Sequence, residues 1–152
     1  MRECIIPESF IKLPFHTPGT SINTTSKLWE TDVPFIEDIC KIQLPAPEDT
    51  WVLFFSTWDK EKNLIKSGNS RGLVVCWLAR FIQLFHYIEG RHVQSITQGL
   101  LFLNYHKSSP WNVEERIAFI MENPGHFTRQ IEIIKLIEES QYRIKRYISS
   151  KE

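Results

Sequence analysis

The chain has little cysteine. Its 152 residues include Cys4, Cys40 and Cys76, an odd number at wide spacing without a CxxC pair. This pattern does not form a disulfide framework or a cysteine-rich metal site, and it suits a reducing compartment. The first ten residues, MRECIIPESF, contain three charged residues and only two isoleucines, unlike a signal peptide. We therefore expect an intracellular, cytoplasmic protein.

The chain also lacks net charge. Lys and Arg together number 18, and Asp and Glu together number 18. Because a nucleic-acid surface needs an excess of cations to neutralise phosphates, this balance argues against such a surface over the whole chain and leaves room for a local basic face. The balance also removes self-repulsion, which lowers the cost of association with a partner or a second copy.

No run of residues is long and apolar enough to cross a bilayer. The most apolar stretch, 73–88, has about 16 residues and contains Arg80, Gln83 and His86, whereas a span needs about 20 largely uncharged residues. The stretch is apolar nearly all round, as expected for a helix surrounded by other elements, and Gly90 is a suitable end. The sequence therefore predicts a central buried helix over 73–89 and no membrane span.

Other segments also have helical patterns. We predict a short helix after Thr31 or Asp32, an apolar segment over 93–105, a helix capped by Asn112 and a last helix over 127–148. At the helical period, the apolar residues of the last helix cover about half of its circumference, which is wider than one core stripe needs. These residues are Phe127, Ile133, Ile134, Leu136, Ile137, Ile144, Tyr147 and Ile148.

Residues 51–65 fit two structures. A helix that begins at Pro47 would place four aromatic side chains on one side. Alternatively, 51–55 could be the first strand of a short β-hairpin, since short apolar runs cannot be assigned by period alone. Pro47 followed by two acidic residues is typical of a helix start, so the helix is favoured.

The first 30 residues look irregular. Pro7, Pro14 and Pro18 interrupt any helix, because proline lacks an N–H and restricts the residue before it. Since a free tail would not be expected to carry so many large apolar groups, we predict an extended arm over 1–30 that packs on this core or on a neighbour's. No internal repeat or domain boundary is found. The chain is therefore predicted to be one mainly α domain, a compact bundle of about five or six helices over 31–152 with the arm at 1–30.

No group of residues has the spacing of a familiar active or metal site. Cys76 and His86 lie ten residues apart on one predicted helix, so they cannot meet as nucleophile and base. The histidines lack the i, i+4 spacing of a helical metal site. We therefore predict no catalytic residue, metal or cofactor. An enzyme stays a third class, which a cleft lined by titratable residues would support.

The loop over 67–72 leads into the central helix. Exposed N–H groups at a helix start can hold an anion, and Arg71 could assist. The loop lacks the ending of a P-loop and the spacing of a dinucleotide fingerprint, and most such turns only connect elements. Arg71 is therefore an anion-binding candidate at most.

Two functions are weighed on this basis. Five Trp, ten Phe and four Tyr, together with the apolar arm and the wide face of the last helix, favour a non-enzymatic protein-interaction module that self-associates or joins a larger assembly. The alternative is a nucleic-acid-binding protein that uses a basic C-terminal helix. The predicted interaction residues are Phe10, Phe15, Trp29, Trp111, Tyr142 and Tyr147, and the nucleic-acid-binding candidates are Arg129, Arg143, Lys145 and Arg146.

Overall fold

The computed structural model describes residues 3–68 and 70–151. Within these ranges the chain is mainly helical, so the helical bundle predicted from the sequence is confirmed. In chain order, the elements are β1 (Glu3–Ile5), a 3-10 turn (Glu8–Phe10), β2 (Ser21–Asn23), α1 (Ile36–Ile39), α2 (Pro47–Lys66), α3 (Arg71–Tyr87), α4 (Ile96–Tyr105), α5 (Val113–Glu122) and α6 (Phe127–Ser150).

Helix α3 lies at the centre of the bundle. Every residue from Val74 to Tyr87 is buried, and the helix packs against α2, α4 and α6. This explains why its sequence is apolar nearly all round. The turn after the helix ends at Gly90, whose φ of 75° lies in the left-handed region that favours glycine. Among the described residues, no helix combines the length and the apolarity that crossing a membrane requires.

Residues 51–65 form part of helix α2, so the alternative of a β-hairpin there is wrong. The helix begins at Pro47, with two acidic residues in its first turn. Its aromatic side is buried against α3, where Trp77 meets Phe54 and Trp58 edge to face at ring-centroid distances of 5.3 and 5.1 Å. Such pairs each add about 0.5–1.5 kcal/mol beyond the area that they bury, and this packing favours the helix over the strand.

The described part of the N-terminal arm folds back onto the helices. Strands β1 and β2 pair in antiparallel fashion, with Cys4 opposite Ile22. Between the strands, Phe10 and Phe15 are buried against Phe35 at ring-centroid distances of 5.6 and 5.1 Å. The sequence allowed the arm to pack on the core of its own chain or on that of a neighbour. In the structure it packs on the core of its own chain.

Helix α6 packs against three other helices, α2, α3 and α5. Its wide apolar face is therefore divided among three neighbours, and most of it is internal. Phe127, at the start of the helix, is the exception, with 63% of its surface exposed. The fully buried residues of this face are Ile133, Leu136, Ile137 and Ile144, and the partly buried ones are Ile134, Tyr147 and Ile148.

A buried polar cluster joins the N-terminal loop to α3. At its centre, the Gln83 Nε2 atom donates to Glu37 Oε1 and Asp38 Oδ2, both at 2.8 Å. The Gln83 Oε1 atom accepts from the indole N–H of Trp29 at 2.9 Å. The Tyr87 hydroxyl donates to Asp38 Oδ1 at 2.8 Å. All five residues are buried, and we refer to them as the Gln83 cluster.

The same region holds its backbone in an unfavourable conformation. Trp29 and Phe35 have φ values of 54° and 60°, in the left-handed region that costs a non-glycine residue about 1–2 kcal/mol. The Trp29 backbone N–H donates to Glu37 Oε2 at 3.0 Å. The buried side chain of Arg80 donates to the Thr31 carbonyl at 3.0 Å. Side chains of α3 and α1 therefore fix the loop from several directions.

We predict that Gln83→Ala lowers the free energy of unfolding by about 3 kcal/mol, because it leaves two buried carboxylates without their amide donor. Urea unfolding followed by circular dichroism measures this loss. Gln98→Ala is a matched control, since Gln98 is exposed on α4 and its loss should change the free energy by about 0.5 kcal/mol or less. Equal effects of the two substitutions would contradict the role of the cluster.

Candidate functional site

An open groove lies between helices α4 and α5, which follow one another in the chain and pack together. It has a volume of about 600 Å³, and most of its accessible lining is apolar. We refer to it as the α4–α5 groove. Its lining residues are Lys12, Thr97, Leu100, Leu101, Leu103, Asn104, Glu114, Ile117, Ala118, Met121 and Glu122.

The lining residues recur at the helical period on both helices. On α4 they lie at 97, 100, 101, 103 and 104, and on α5 at 114, 117, 118, 121 and 122. Each helix thus presents one continuous face, about two turns or 10 Å long. Leu103 and Ile117 form a buried floor, whereas Leu101 is 53% exposed although it is aliphatic. The groove is therefore an apolar surface that the chain itself leaves uncovered.

Charged residues stand at the rim of the groove. Glu114 and Glu122 lie at opposite ends of α5, separated by about 12 Å along the helix axis. The Asn104 side-chain amide donates to Glu114 at 3.1 Å, and the Arg129 guanidinium lies 3.4 Å from Glu122. Lys12 reaches the rim from the N-terminal segment. The rim therefore carries two carboxylates and one ammonium group.

Gly99 determines which side of α4 faces outward. A Cβ atom at this position would lie 3.0 Å from the Val93 side chain and 3.1 Å from the Ile82 side chain. Glycine thus allows α4 to approach α3 closely, and Leu103, one turn later, continues the same buried side. Leu101 lies on the opposite side of the helix and is directed toward the groove.

A second pocket of about 450 Å³, with both polar and apolar lining, adjoins the groove at Leu101. Within it, His86 Nδ1 lies 3.0 Å from the Ile82 carbonyl and therefore donates to it. Burial lowers the pKa of His86, so its ring is neutral at neutral pH. The lining residues are His86, Arg91, His92, Gln94, Gln98, Leu101, Phe102 and Tyr105.

His92 differs from His86, because both of its ring nitrogens face acceptors. Its Nδ1 lies 2.9 Å from Asp38 Oδ1, and its Nε2 lies 2.8 Å from the Ile42 carbonyl. Only a protonated ring can donate from both nitrogens, so these two contacts favour the imidazolium form. The hydrogen bond to Asp38 raises the pKa of His92. With both nitrogens engaged, His92 extends the Gln83 cluster and has no free position for proton transfer.

The residues that line this second pocket include two histidines and a tyrosine but no carboxylate, serine or cysteine, so no Ser–His or Cys–His pair lies there. Cys76 is buried in α3, and burial raises the pKa of its thiol to about 12. In the described ranges, no three or more His, Cys, Asp and Glu residues are arranged to hold a metal ion.

The six predicted interaction residues are divided between the core and the surface. Trp111 and Tyr142 are 81% and 67% exposed. Tyr147 is half-buried, and its hydroxyl donates to Glu89 at 2.5 Å. None of the six lines the α4–α5 groove. The three that are buried within the chain, and so offer no surface to a partner in this structure, are Phe10, Phe15 and Trp29.

The four nucleic-acid-binding candidates lie at different places on α6. Arg129 is near the start of the helix, with its guanidinium 4.0 Å from the centroid of the Phe119 ring. Arg143 and Arg146 lie about 20 Å further along the helix, where they line one pocket. Lys145 is exposed but does not line that pocket. The structure therefore brings Arg143 and Arg146 together and separates Arg129 from them.

The anion-binding candidate, Arg71, is the exposed first residue of α3. A Cβ atom at Gly125 would lie 3.4 Å from the Arg71 side chain, so this side chain rests against the loop before α6. Asn69, in the same predicted loop, lies outside the described residues. Anion binding at Arg71 stays a prediction.

Sequence reasoning missed the α4–α5 groove and the Gln83 cluster. A signal for the groove was present, because Leu100 to Leu103 are four consecutive apolar residues in a helix, and they cannot all face one core. A signal for the cluster was the presence of Gln83 in the most apolar helix, since a buried amide needs partners.

Comparison with protein families finds that residues 48–152 match the family model described as YpoC-like protein. No curated protein and no solved structure gives a significant match. The matched range contains nearly all of α2 and the whole of α3 to α6, including both helices that form the groove.

We predict that His92 stabilises the fold less as the pH rises. Because its pKa is raised from 6.5, its stabilisation is fully present below pH 6.5 and is lost as the pH rises through the folded-state pKa. The measurement is the difference in free energy of unfolding between the wild type and His92→Gln from about pH 5 to pH 9. Burial lowers the pKa values of His16, His86 and His106, so their contributions to stability depend on pH in the opposite direction. These contributions are the same in both proteins and cancel in the difference. A difference in free energy that does not vary with pH would contradict an ion pair between Asp38 and His92.

Proposed function

The chain belongs to the YpoC-like protein family, and we propose that it is a non-enzymatic protein-interaction module that binds an amphipathic helix of a partner protein in the α4–α5 groove. The observation that carries this proposal is the pair of apolar helix faces that line a groove of about 600 Å³. Leu101, at the middle of the α4 face, is 53% exposed. Exposed apolar surface of this kind, with a polar rim, is typical of a binding site.

The shape of the groove favours a helix as its occupant. Two neighbouring helices that both present residues at i, i+3, i+4 and i+7 leave a trough into which the ridge of a third helix fits. The lined length of about 10 Å corresponds to two turns. The partner helix is therefore expected to place two or three apolar side chains, at positions i, i+3 or i+4 and i+7, between α4 and α5.

The charges at the rim indicate what flanks those apolar side chains. Glu114 and Glu122 lie about 12 Å apart along α5, so a helix that lies along α5 can meet both with cations about eight residues apart. Charges at a rim contribute more to orientation and association rate than to affinity. We therefore expect a partner helix that is apolar on one side and carries Lys or Arg at both ends of this side.

The proposal predicts that Leu101→Lys weakens helix binding while the fold is kept, because a charge then replaces an exposed apolar anchor. Helical peptides selected from a displayed library on the wild type serve as the probe, and fluorescence anisotropy gives their affinity. A loss of at least about tenfold is expected, the effect of about 1.4 kcal/mol. Leu64→Lys is the matched control, since Leu64 on α2 is 54% exposed and lies outside the groove.

Two results would overturn the groove as the site. One is a selection in which no peptide with apolar residues at i, i+3 or i+4 and i+7 is enriched. The other is an equal loss of affinity for Leu101→Lys and Leu64→Lys. If the free chain instead forms a dimer that Leu101→Lys alone dissociates, a second copy occupies the groove and a different protein does not.

A charge reversal tests the orientation of the partner. With Glu114→Lys and Glu122→Lys combined, the preferred peptides should carry Asp or Glu where the wild type selects Lys or Arg, because like charges at the rim repel. Selection on this variant followed by peptide sequencing provides the measurement. An unchanged preference for cations would show that these two carboxylates do not face the ligand.

A further inference from the structure

A basic pocket of about 330 Å³ lies where the loop after α4 meets α6. We infer that this pocket, together with the nearby indole of Trp111, binds single-stranded nucleic acid, with phosphates in the pocket and a base on the indole. The basic pocket shares no lining residue with the α4–α5 groove, and the inference does not depend on the function proposed for the groove. Its lining residues are Lys107, Ser108, Arg143, Arg146, Tyr147 and Ser150.

Three cations converge on this pocket from two elements. Arg143 and Arg146 lie on the same face of α6, and Lys107 comes from the loop over 106–112. The hydroxyls of Tyr147 and Ser150 already donate to Glu89 and to the Tyr147 carbonyl, and the Ser108 hydroxyl lies against His106, so the cations are the donors left for a ligand. None of the six lining residues is acidic. This lining suits phosphate oxygens, which accept hydrogen bonds from guanidinium and ammonium groups.

The structure holds the loop and one guanidinium in place before any ligand arrives. Arg143 Nε donates to the Ser108 carbonyl at 3.2 Å. The Ser108 hydroxyl lies 2.8 Å from His106 Nδ1, and the Ser109 hydroxyl donates to the Leu103 carbonyl at 2.5 Å. Because Arg143 uses Nε for the loop, its two terminal nitrogens are left to face a phosphate.

The positive charge of the pocket is not cancelled locally. Arg80, Arg116 and Arg129 each have a carboxylate within 4.0 Å. In contrast, across residues 3–68 and 70–151, no such ion pair involves Lys107, Arg143 or Arg146.

One lining residue of the pocket contacts a carboxylate, because the Tyr147 hydroxyl donates to Glu89. Glu89 is already paired with Lys151 at 2.9 Å. The pocket thus keeps a local positive charge, although the whole chain is neutral.

Trp111 lies in an adjoining pocket of about 480 Å³ that also includes Lys107 and Arg143. Its side chain is 81% exposed, and an exposed indole beside cations is the arrangement on which unpaired bases stack. Glu114 and Glu115 also line this second pocket, where they accept from side-chain amides at 3.1 and 2.9 Å.

These two carboxylates disfavour a phosphate beside Trp111 but not an uncharged base. We therefore place the base at Trp111 and the phosphates in the basic pocket. The confinement of the cations to one pocket also favours a flexible strand over a duplex, since a duplex presents a long row of phosphates.

The test uses the full chain and a fluorescein-labelled oligothymidine of about ten nucleotides, within the range that one single-strand site covers. Fluorescence anisotropy gives the affinity at several salt concentrations. With three phosphates neutralised, log K should fall against log salt with a slope of about −2, since each phosphate contributes about −0.7 on a single strand. The absence of binding at low salt would overturn the inference.

Substitutions separate the phosphate contacts from the stacking contact. Arg143→Gln with Arg146→Gln should lower the affinity at least tenfold and bring the slope to about −0.7, because one cation is left. Arg143→Lys with Arg146→Lys should keep the slope, since it retains both charges. Trp111→Ala should lower the affinity about tenfold with the slope unchanged, because stacking involves no counterion release.

The matched control is Lys60→Gln with Lys66→Gln, which removes two exposed cations on α2. An equal loss of affinity in this control would mean that only net charge matters and would overturn the site. Inorganic polyphosphate and a DNA duplex are the competitors. Single-strand recognition would also be overturned if either competitor displaced the labelled strand as well as unlabelled oligothymidine does and Trp111→Ala left the affinity unchanged. Leu101→Lys should leave oligothymidine binding unchanged, which distinguishes this site from the groove.

Discussion

Two adjacent carboxylates, those of Glu37 and Asp38, are buried inside this chain, and much of the structure follows from the need to satisfy them. A buried carboxylate is costly unless donors surround it. Asp38 Oδ1 alone accepts from the Tyr87 hydroxyl, the His92 ring and the Val93 backbone N–H, at 2.8 to 2.9 Å. These hydrogen bonds therefore hold together the loop before α1, helix α3 and the segment that leads into α4. The position of α4 thus depends on this cluster.

The two candidate binding surfaces adjoin where α4 ends and α5 begins. Asn104 and Glu114 line both the α4–α5 groove and the pocket that contains Trp111. Lys107 and Arg143 line both that pocket and the basic pocket. The surfaces thus form one continuous band that passes from apolar, through mixed, to basic. A protein helix and a nucleic-acid strand bound to this band would lie next to each other.

The sequence was informative where a structure is determined by nearby residues. Helical period and the proline start were enough for α3 and α2, because both signals lie within the segment itself. The Gln83 cluster was out of reach, since Gln83 and Glu37 are 46 positions apart. The groove depends on which side of α4 is covered by α3, and the broad apolar face of α6 reflects how many helices surround it. Phe10, Phe15 and Trp29 could not be recognised as core residues, because their burial depends on segments that are distant in the chain. The placement of Arg143 and Lys107 in one pocket also depends on the tertiary structure.

The contact at Gly99 has a consequence for how this family can diverge. The spacing between α4 and α3 is set by a missing side chain whose neighbours, Val93 and Ile82, belong to the core. The width of the groove on the other side of α4 is set by the same spacing. Substitutions that change the size of core residues between α4 and α3 would therefore widen or narrow the α4–α5 groove. For the helix binding that we propose, the fit of a partner would then change without the replacement of any residue that lines the groove.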